Sequence, residues 1–150
     1  MKRKLLTFLL ALSMTAGCSA QAAKPVEINE NVDSCDTCHM GIRDASLAAE
    51  VLIDGKPMKF DDIGCMVTYL QQHKNIDAAF VHAHDSKEWI DFQKSYFVHD
   101  SSIESPMGYG IAAFLTKQAA EKFANEHGGQ VFSADELLKQ NMMEFKMHSH

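Results

Sequence analysis

Apolar and polar residues alternate in six short stretches, at residues 49–53, 58–60, 79–83, 89–92, 96–99 and 111–115. A period of two turns one face of each stretch toward a core, so each predicts a short β-strand. Asp54-Gly55 separates the first two and favours a tight hairpin turn, because glycine takes positive φ without steric cost. Elsewhere the period changes. Ile63, Met66, Val67 and Leu70 recur at i, i+3, i+4 and i+7 behind Asp61 and Asp62, which predicts a helix with an acidic cap. A second helical stretch follows Thr116, with Ala119, Ala120, Phe123 and Ala124 inward and Gly128-Gly129 ending it. A strand is expected at 130–132, and Ser133 with Glu136 reads as a capping box opening a last helix.

Strand, strand, helix, strand occurs twice in this order. The expected fold is therefore α+β, two related ββαβ units packed as one small domain, with too few copies for a solenoid. Ahead of it, Lys2, Arg3 and Lys4 precede an apolar run at 5–12 and the small pair Ala16-Gly17, the pattern of a secretory signal. The run falls short of the roughly 18 to 20 residues that span a bilayer. Thr15-Ala16-Gly17-Cys18 resembles a bacterial lipobox, in which the cysteine becomes an acylated N-terminus, although Thr15 stands where leucine is usual. The expected organisation is a signal peptide at 1–17 and a lipidated tether at 18–31, small, polar and carrying Pro25. A folded domain at 32–140 follows, then a Met/His-rich tail at 141–150. The expected location is the cell envelope, lipid-anchored on a membrane outside the cytoplasm.

Removing the signal's three basic residues would take the formal charge from −6 to −9. So acidic a chain is a poor partner for nucleic acid and a good one for cations or a basic protein surface. With Cys18 assigned to lipid, Cys35, Cys38 and Cys65 remain. An odd set leaves at least one thiol outside any disulfide framework, free for a metal or a partner.

Cys35-Asp36-Thr37-Cys38-His39-Met40 is the densest run of donor atoms. Zn(II) takes thiolate and imidazole but gains little from thioether, whereas soft Cu(I) accepts both kinds of sulfur, so Met40 tilts the expectation toward copper. In extended backbone Cys38 and Met40 share a face, and Cys35 and His39 join them only through a local turn. Met107 lies in Ser105-Pro106-Met107-Gly108, where turn residues can hold a thioether on an exposed loop; filling a gap in the core is the other reading. Met58, Met66 and Met142 read as core fillers, and Cys65, one residue off the helical stripe, as a buried inert thiol. His82, His84 and Asp85 follow a strand and read as solvated side chains. Residues 142–150 read as a frayed end that could also capture copper loosely.

Cys38-x-Met40 behind Cys35, Phe60-Asp61-Asp62 opening a helix, Ser105-Pro106-Met107-Gly108 in a loop and His127-Gly128-Gly129 at a helix end together resemble the NosL family over about residues 32 to 138. That resemblance implies an envelope lipoprotein supplying copper to nitrous oxide reductase or its copper-site assembly machinery. It implies two ββαβ units similar to the core of organomercury lyase, and Cu(I) held by Cys38, Met40 and Met107. The pattern departs at His39, where the family usually has glycine, leaving His39 an extra ligand or a bystander.

The departure also creates a rival. Cys35-x-x-Cys38-His39 is the attachment signature of c-type haem, with Met107 as a distal ligand, which would make the chain an electron carrier. A thioredoxin-like redox pair at Cys35 and Cys38 would need a helix N-terminus to activate it, and the local pattern predicts none. No Ser, His, Asp grouping or paired carboxylate at catalytic spacing stands out, so no enzyme is expected.

Overall fold

The computed structural model describes residues 23–147; the expected signal peptide at 1–17, the lipidation site Cys18 and His148 and His150 of the tail lie outside them. Two antiparallel sheets make up the domain. The first has the order β2-β1-β3-β4, built from β1 (Ala49–Ile53), β2 (Lys56–Phe60), β3 (Ala78–His82) and β4 (Trp89–Asp91). The second has the order β6-β5-β7, from β5 (Tyr96–His99), β6 (Ile111–Phe114) and β7 (Gln130–Ser133). Helix α1 (Ile63–Gln72) joins β2 to β3, and α2 (Lys117–His127) joins β6 to β7. Each half is thus a central strand flanked by its hairpin partner and by the strand returning from the helix, the duplicated ββαβ unit expected. Asp54 and Gly55 both have positive φ, at 50° and 71°, which matches the twist of a two-residue hairpin and sets Ile53 opposite Lys56.

The main core lies between the sheets and takes Val51, Phe60, Met66, Phe97, Phe132 and Leu137 from both halves. A smaller cluster of Val98, Ala112, Phe114 and Ala120 sits under α2. A parallel bridge between Ala83 and Ala113, with the His84 N–H donating to the Ala113 carbonyl at 2.7 Å, stitches one sheet to the other.

Three differences from the sequence reading have physical causes. The segment expected as tether up to Asn31 is docked from Val26 onward: Val26 N–H donates to Glu50 Oε1 at 2.9 Å, and Ile28 packs with Ile42 and Ala48. β1 carries buried side chains on both faces, and this segment covers the face away from α1. β4 stops at Asp91 because the Asp91 carboxylate caps a turn of 3-10 helix at Phe92–Lys94. The expected frayed end instead forms α4 (Met142–Met147), behind the short α3 (Ala134–Leu137) that the Ser133 and Glu136 capping box opens. Met142 and Phe145 are buried in the main core, so hydrophobic burial orders this stretch.

Gly64 in the first turn of α1 is a close approach between the halves. A Cβ there would overlap the Tyr109 ring, so the missing side chain is what lets the stretch before β6 lie against α1. Gly64→Ala should therefore cost about 2–3 kcal/mol in urea unfolding, far beyond the small gain alanine brings to an exposed helix site.

Glu50 is fully buried, with Oε2 unpartnered, and burial holds its carboxyl above the ordinary glutamate range. The folded state therefore binds that proton more readily than the unfolded chain; stability from Glu50 is full below the unfolded pKa and is lost as pH rises through the folded one. The urea midpoint of the parent relative to Glu50→Gln should accordingly shift in the parent's favour as pH falls from 7 toward 4.5, and a pH-independent difference would contradict this.

Candidate metal centre

Residues 34–41 fold back on themselves as a small loop. Ser34 bridges Gly41, the Cys35 N–H donates to the Met40 carbonyl at 2.8 Å, and the His39 N–H donates to the Cys35 carbonyl at 2.9 Å. The reversal puts His39 at φ 63°, a left-handed conformation that glycine adopts without penalty. The loop is pinned to β2, since Asp36 N–H donates to the Lys59 carbonyl at 2.8 Å and Lys59 N–H to Asp36 Oδ2 at 2.6 Å. It is pinned to α1 through the Thr37 hydroxyl, which donates to the Cys65 carbonyl at 3.2 Å.

These anchors bring Cys35 and Cys38 to the start of α1. There the ligand atoms of Cys35, Cys38, Asp61 and Cys65 all lie within 4.8 Å of one another. Metal–sulfur bonds of about 2.3 Å put the sulfurs of a trigonal or tetrahedral set about 4 Å apart, so three thiols and a carboxylate at this spacing fit one ion. Cys35 and Cys65 are each 1% exposed, Asp61 is buried, and Cys38 is half-buried on the outer side.

Among the three thiols, the thiolate form is favoured at Cys35. Its thiol pKa is held well below the ordinary range because the Cys65 thiol donates to it, with help from backbone N–H groups that include that of Cys38, 3.5 Å from the sulfur. Cys65 is pushed up, first by sharing its proton with Cys35 and then by burial. Burial raises Cys38 to about 11, and its thiol donates to both Asp61 oxygens at 3.6 Å. Burial, then the neighbouring Cys35, raises Asp61 to about 6. One thiolate among three thiols is thus ready for a cation, and further ligation must displace protons.

Asp62, beside Asp61, performs a different task. One of its oxygens accepts from Gly64 N–H at 2.8 Å and caps α1; the other accepts from Met107 N–H at 3.0 Å and ties down the loop at 105–108. A cavity of about 610 Å³ opens beside the cluster, lined by Met40, Arg43, Asp61, Ser105, Pro106 and Gly108. Met40, 52% exposed, stands at its rim, and Met107 is half-buried against the main core, to which Cys35 and Cys65 also belong.

The expected residues are therefore distributed unevenly. Cys38 is in the cluster, and Cys35, which needed a local turn, is there because the turn forms. Met40 and the loop carrying Met107 border the adjoining cavity. His39 is exposed and lies outside the group. Cys65 is buried as expected and lies inside the cluster, and Asp61 was read only as a capping candidate. Their spacing of four residues across the first turn of a helix, behind a cysteine-rich loop, was the available signal. His82 and His84 are half-buried instead of fully solvated: His82 Nδ1 donates to the Ala48 carbonyl at 3.1 Å and its ring packs against Trp89, and His84 packs against Phe114 and Phe123. Asp85 is exposed.

Geometry speaks against the haem reading. Two thioether bonds need both sulfurs on one porphyrin edge, and Cys35 is sealed against Cys65. It also speaks against a thioredoxin-like pair, since the turn at 36–38 ends at Cys38 with no helix after it, and it is Cys65 that occupies a helix N-terminus.

A family model described as NosL matches residues 25–142. A copper-binding lipoprotein NosL from Stutzerimonas stutzeri is 30% identical over 169 aligned positions, covering 97% of this chain and 88% of its own length. The crystal structure of the copper chaperone NosL from Shewanella denitrificans superposes with a TM-score of 0.67 at 21% identity, over 76% of this chain and 96% of that one; it shares this fold.

The hydrogen bond between two of the thiols has a direct readout. In the reduced chain, thiolate absorbance near 240 nm should persist below neutral pH, and Cys65→Ala, which removes the donor, should move that titration upward toward the ordinary thiol range. An unchanged titration would show that Cys65 does not stabilise the Cys35 anion.

Proposed function

The chain belongs to the NosL family, and from that premise we propose that it is an envelope carrier of Cu(I), not a catalyst, that delivers copper for the assembly of nitrous oxide reductase. The observation that carries this reading is the group of three thiols and one carboxylate within 4.8 Å, beside an open cavity rimmed by Met40 and the 105–108 loop. Thiolate and thioether donors in low coordination number suit a soft monovalent ion, whereas a closed zinc site would make no use of the methionines. Cys38 is the central ligand, half-buried beside the sheltered sulfurs; the exposed Met40 and the half-buried Met107 supply the thioether contacts. The names of the two relatives, a copper-binding lipoprotein and a copper chaperone, support copper as the cargo.

A carrier must bind tightly and still release quickly. Stepwise ligand replacement reconciles the two: an incoming ligand adds before an outgoing one leaves, and no free ion forms. The recipient is nitrous oxide reductase or its copper-site assembly machinery, as the family resemblance implies. The acidic mature surface, at formal charge −9 once the three basic signal residues are gone from −6, favours a basic docking face on that recipient. Acylation of Cys18 would hold the domain on a membrane, and among the described residues no helix is long and apolar enough to cross one.

Anaerobic titration of the reduced protein with Cu(I) against a competing chelator tests the assignment. Cys38→Ser should weaken binding by more than the roughly 10–100-fold that loss of an outer partner costs a metal site, and more than Met40→Leu or Met107→Leu. Affinity should fall with falling pH, because protons compete for the thiols that Cu(I) must occupy. Parent-like affinity in Cys38→Ser would overturn the reading.

A further inference from the structure

The sulfur atoms are graded by depth. Cys35 and Cys65 are 1% exposed and face one another inside the core, Cys38 is half-buried, and Met40 is 52% exposed at the cavity rim. Met107 bridges the two environments: it packs against the core that contains Cys35 and Cys65, while its neighbours Pro106 and Gly108 line the cavity. A partner or chelator approaching through the cavity meets Met40 and Asp61, the carboxylate to which the half-buried Cys38 thiol donates, whereas Cys35 and Cys65 are shut off from solvent.

We propose that the chain holds Cu(I) in two alternative positions sharing Cys38: a sheltered one between Cys35, Cys38 and Cys65, and an exchange one at the cavity with Cys38, Met40 and Met107. This rests on the copper reading above and adds to it where the ion resides and by which route it leaves. The sheltered position has the spacing that a single thiolate-bound ion needs, with all ligand atoms within 4.8 Å, and three thiol sulfurs outcompete one thiolate with two thioethers. The ion therefore rests inside. It moves outward when Met40 and Met107 replace Cys35 and Cys65 while Cys38 stays bound, and from the exchange position an external ligand takes it. The thioethers serve as a release route more than as a source of affinity.

The consequence separates this arrangement from a single site. If Met40 and Met107 were ordinary ligands of the resting ion, losing both would weaken binding and hasten release. With two positions, the full-length chain carrying Met40→Leu and Met107→Leu releases Cu(I) to excess chelator about tenfold more slowly or slower still, the opposite of what loss of two resting ligands would do. Met40 is exposed and Met107 only half-buried, and leucine nearly keeps the volume of methionine, so this variant preserves the core packing. Cys35→Ser with Cys65→Ser should do the reverse, weakening binding and releasing Cu(I) about tenfold faster.

X-ray absorption on selenomethionine-labelled full-length protein loaded with one equivalent of Cu(I) supplies a reading independent of variant folding. The parent should show copper bonded to sulfur alone, and the double cysteine variant should show a copper–selenium contact. Faster or unchanged release in the double methionine variant, or a copper–selenium contact in the resting parent, overturns the two-position arrangement and leaves the copper reading standing. A parent that takes up no Cu(I) overturns both.

Discussion

The adjacent carboxylates Asp61 and Asp62 are the constraint on which the rest of the site depends. Both are buried, at 3% and 1% exposure, directly after the buried end of β2, and they face opposite duties. Asp62 satisfies the helix N-terminus and the Met107 N–H together, which makes the start of α1 and the loop of the other half one mechanical unit. Asp61 accepts from the Cys38 thiol and borders the cavity. Burying a carboxylate is unfavourable unless it is hydrogen-bonded, and here every compensating donor belongs to a segment the site needs in place.

Much of the architecture was legible because it rests on local signals. The Asp54-Gly55 turn, the helix following Thr116 and the Ser133 and Glu136 box formed as patterned, and the alternation of strand residues marked both ββαβ units. What escaped depends on contacts between distant segments. Val26 and Ile28 look like tether until Glu50 and Ile42 are seen to need covering, and Phe145 looks like tail until its place in the main core against Phe132 appears, whereas Met142 fills the core as its type suggests. The site divides in the same way. Cys38 could be chosen from its neighbours along the chain, whereas the roles of Cys65 and Asp61 arise only when the 34–41 loop is clamped to β2 and α1.

The loop also accounts for a residue that sequence reasoning could not settle. His39 turns outward because the backbone must reverse there to bring Cys35 beneath Cys38, and the reversal holds it at φ 63°. A glycine would meet that demand with less strain, so the histidine stands at this position despite the backbone. Its ring is exposed and outside the thiol group, which separates the haem-like spelling of the motif from its geometry.

The two helix-opening junctions are copies of one another in outline. Phe60-Asp61-Asp62 and Phe114-Leu115-Thr116 each end a strand at a buried phenylalanine and cap a helix with the third residue. Three positions beyond the cap, the first junction has Cys65 and the second Ala119; between strand and cap, the first has buried Asp61 and the second Leu115, 61% exposed. One scaffold therefore closes equally well around ligands and around none. A protein that gives away what it carries has to survive the giving, and a frame whose twin junction is chemically blank keeps its shape when its hands are empty.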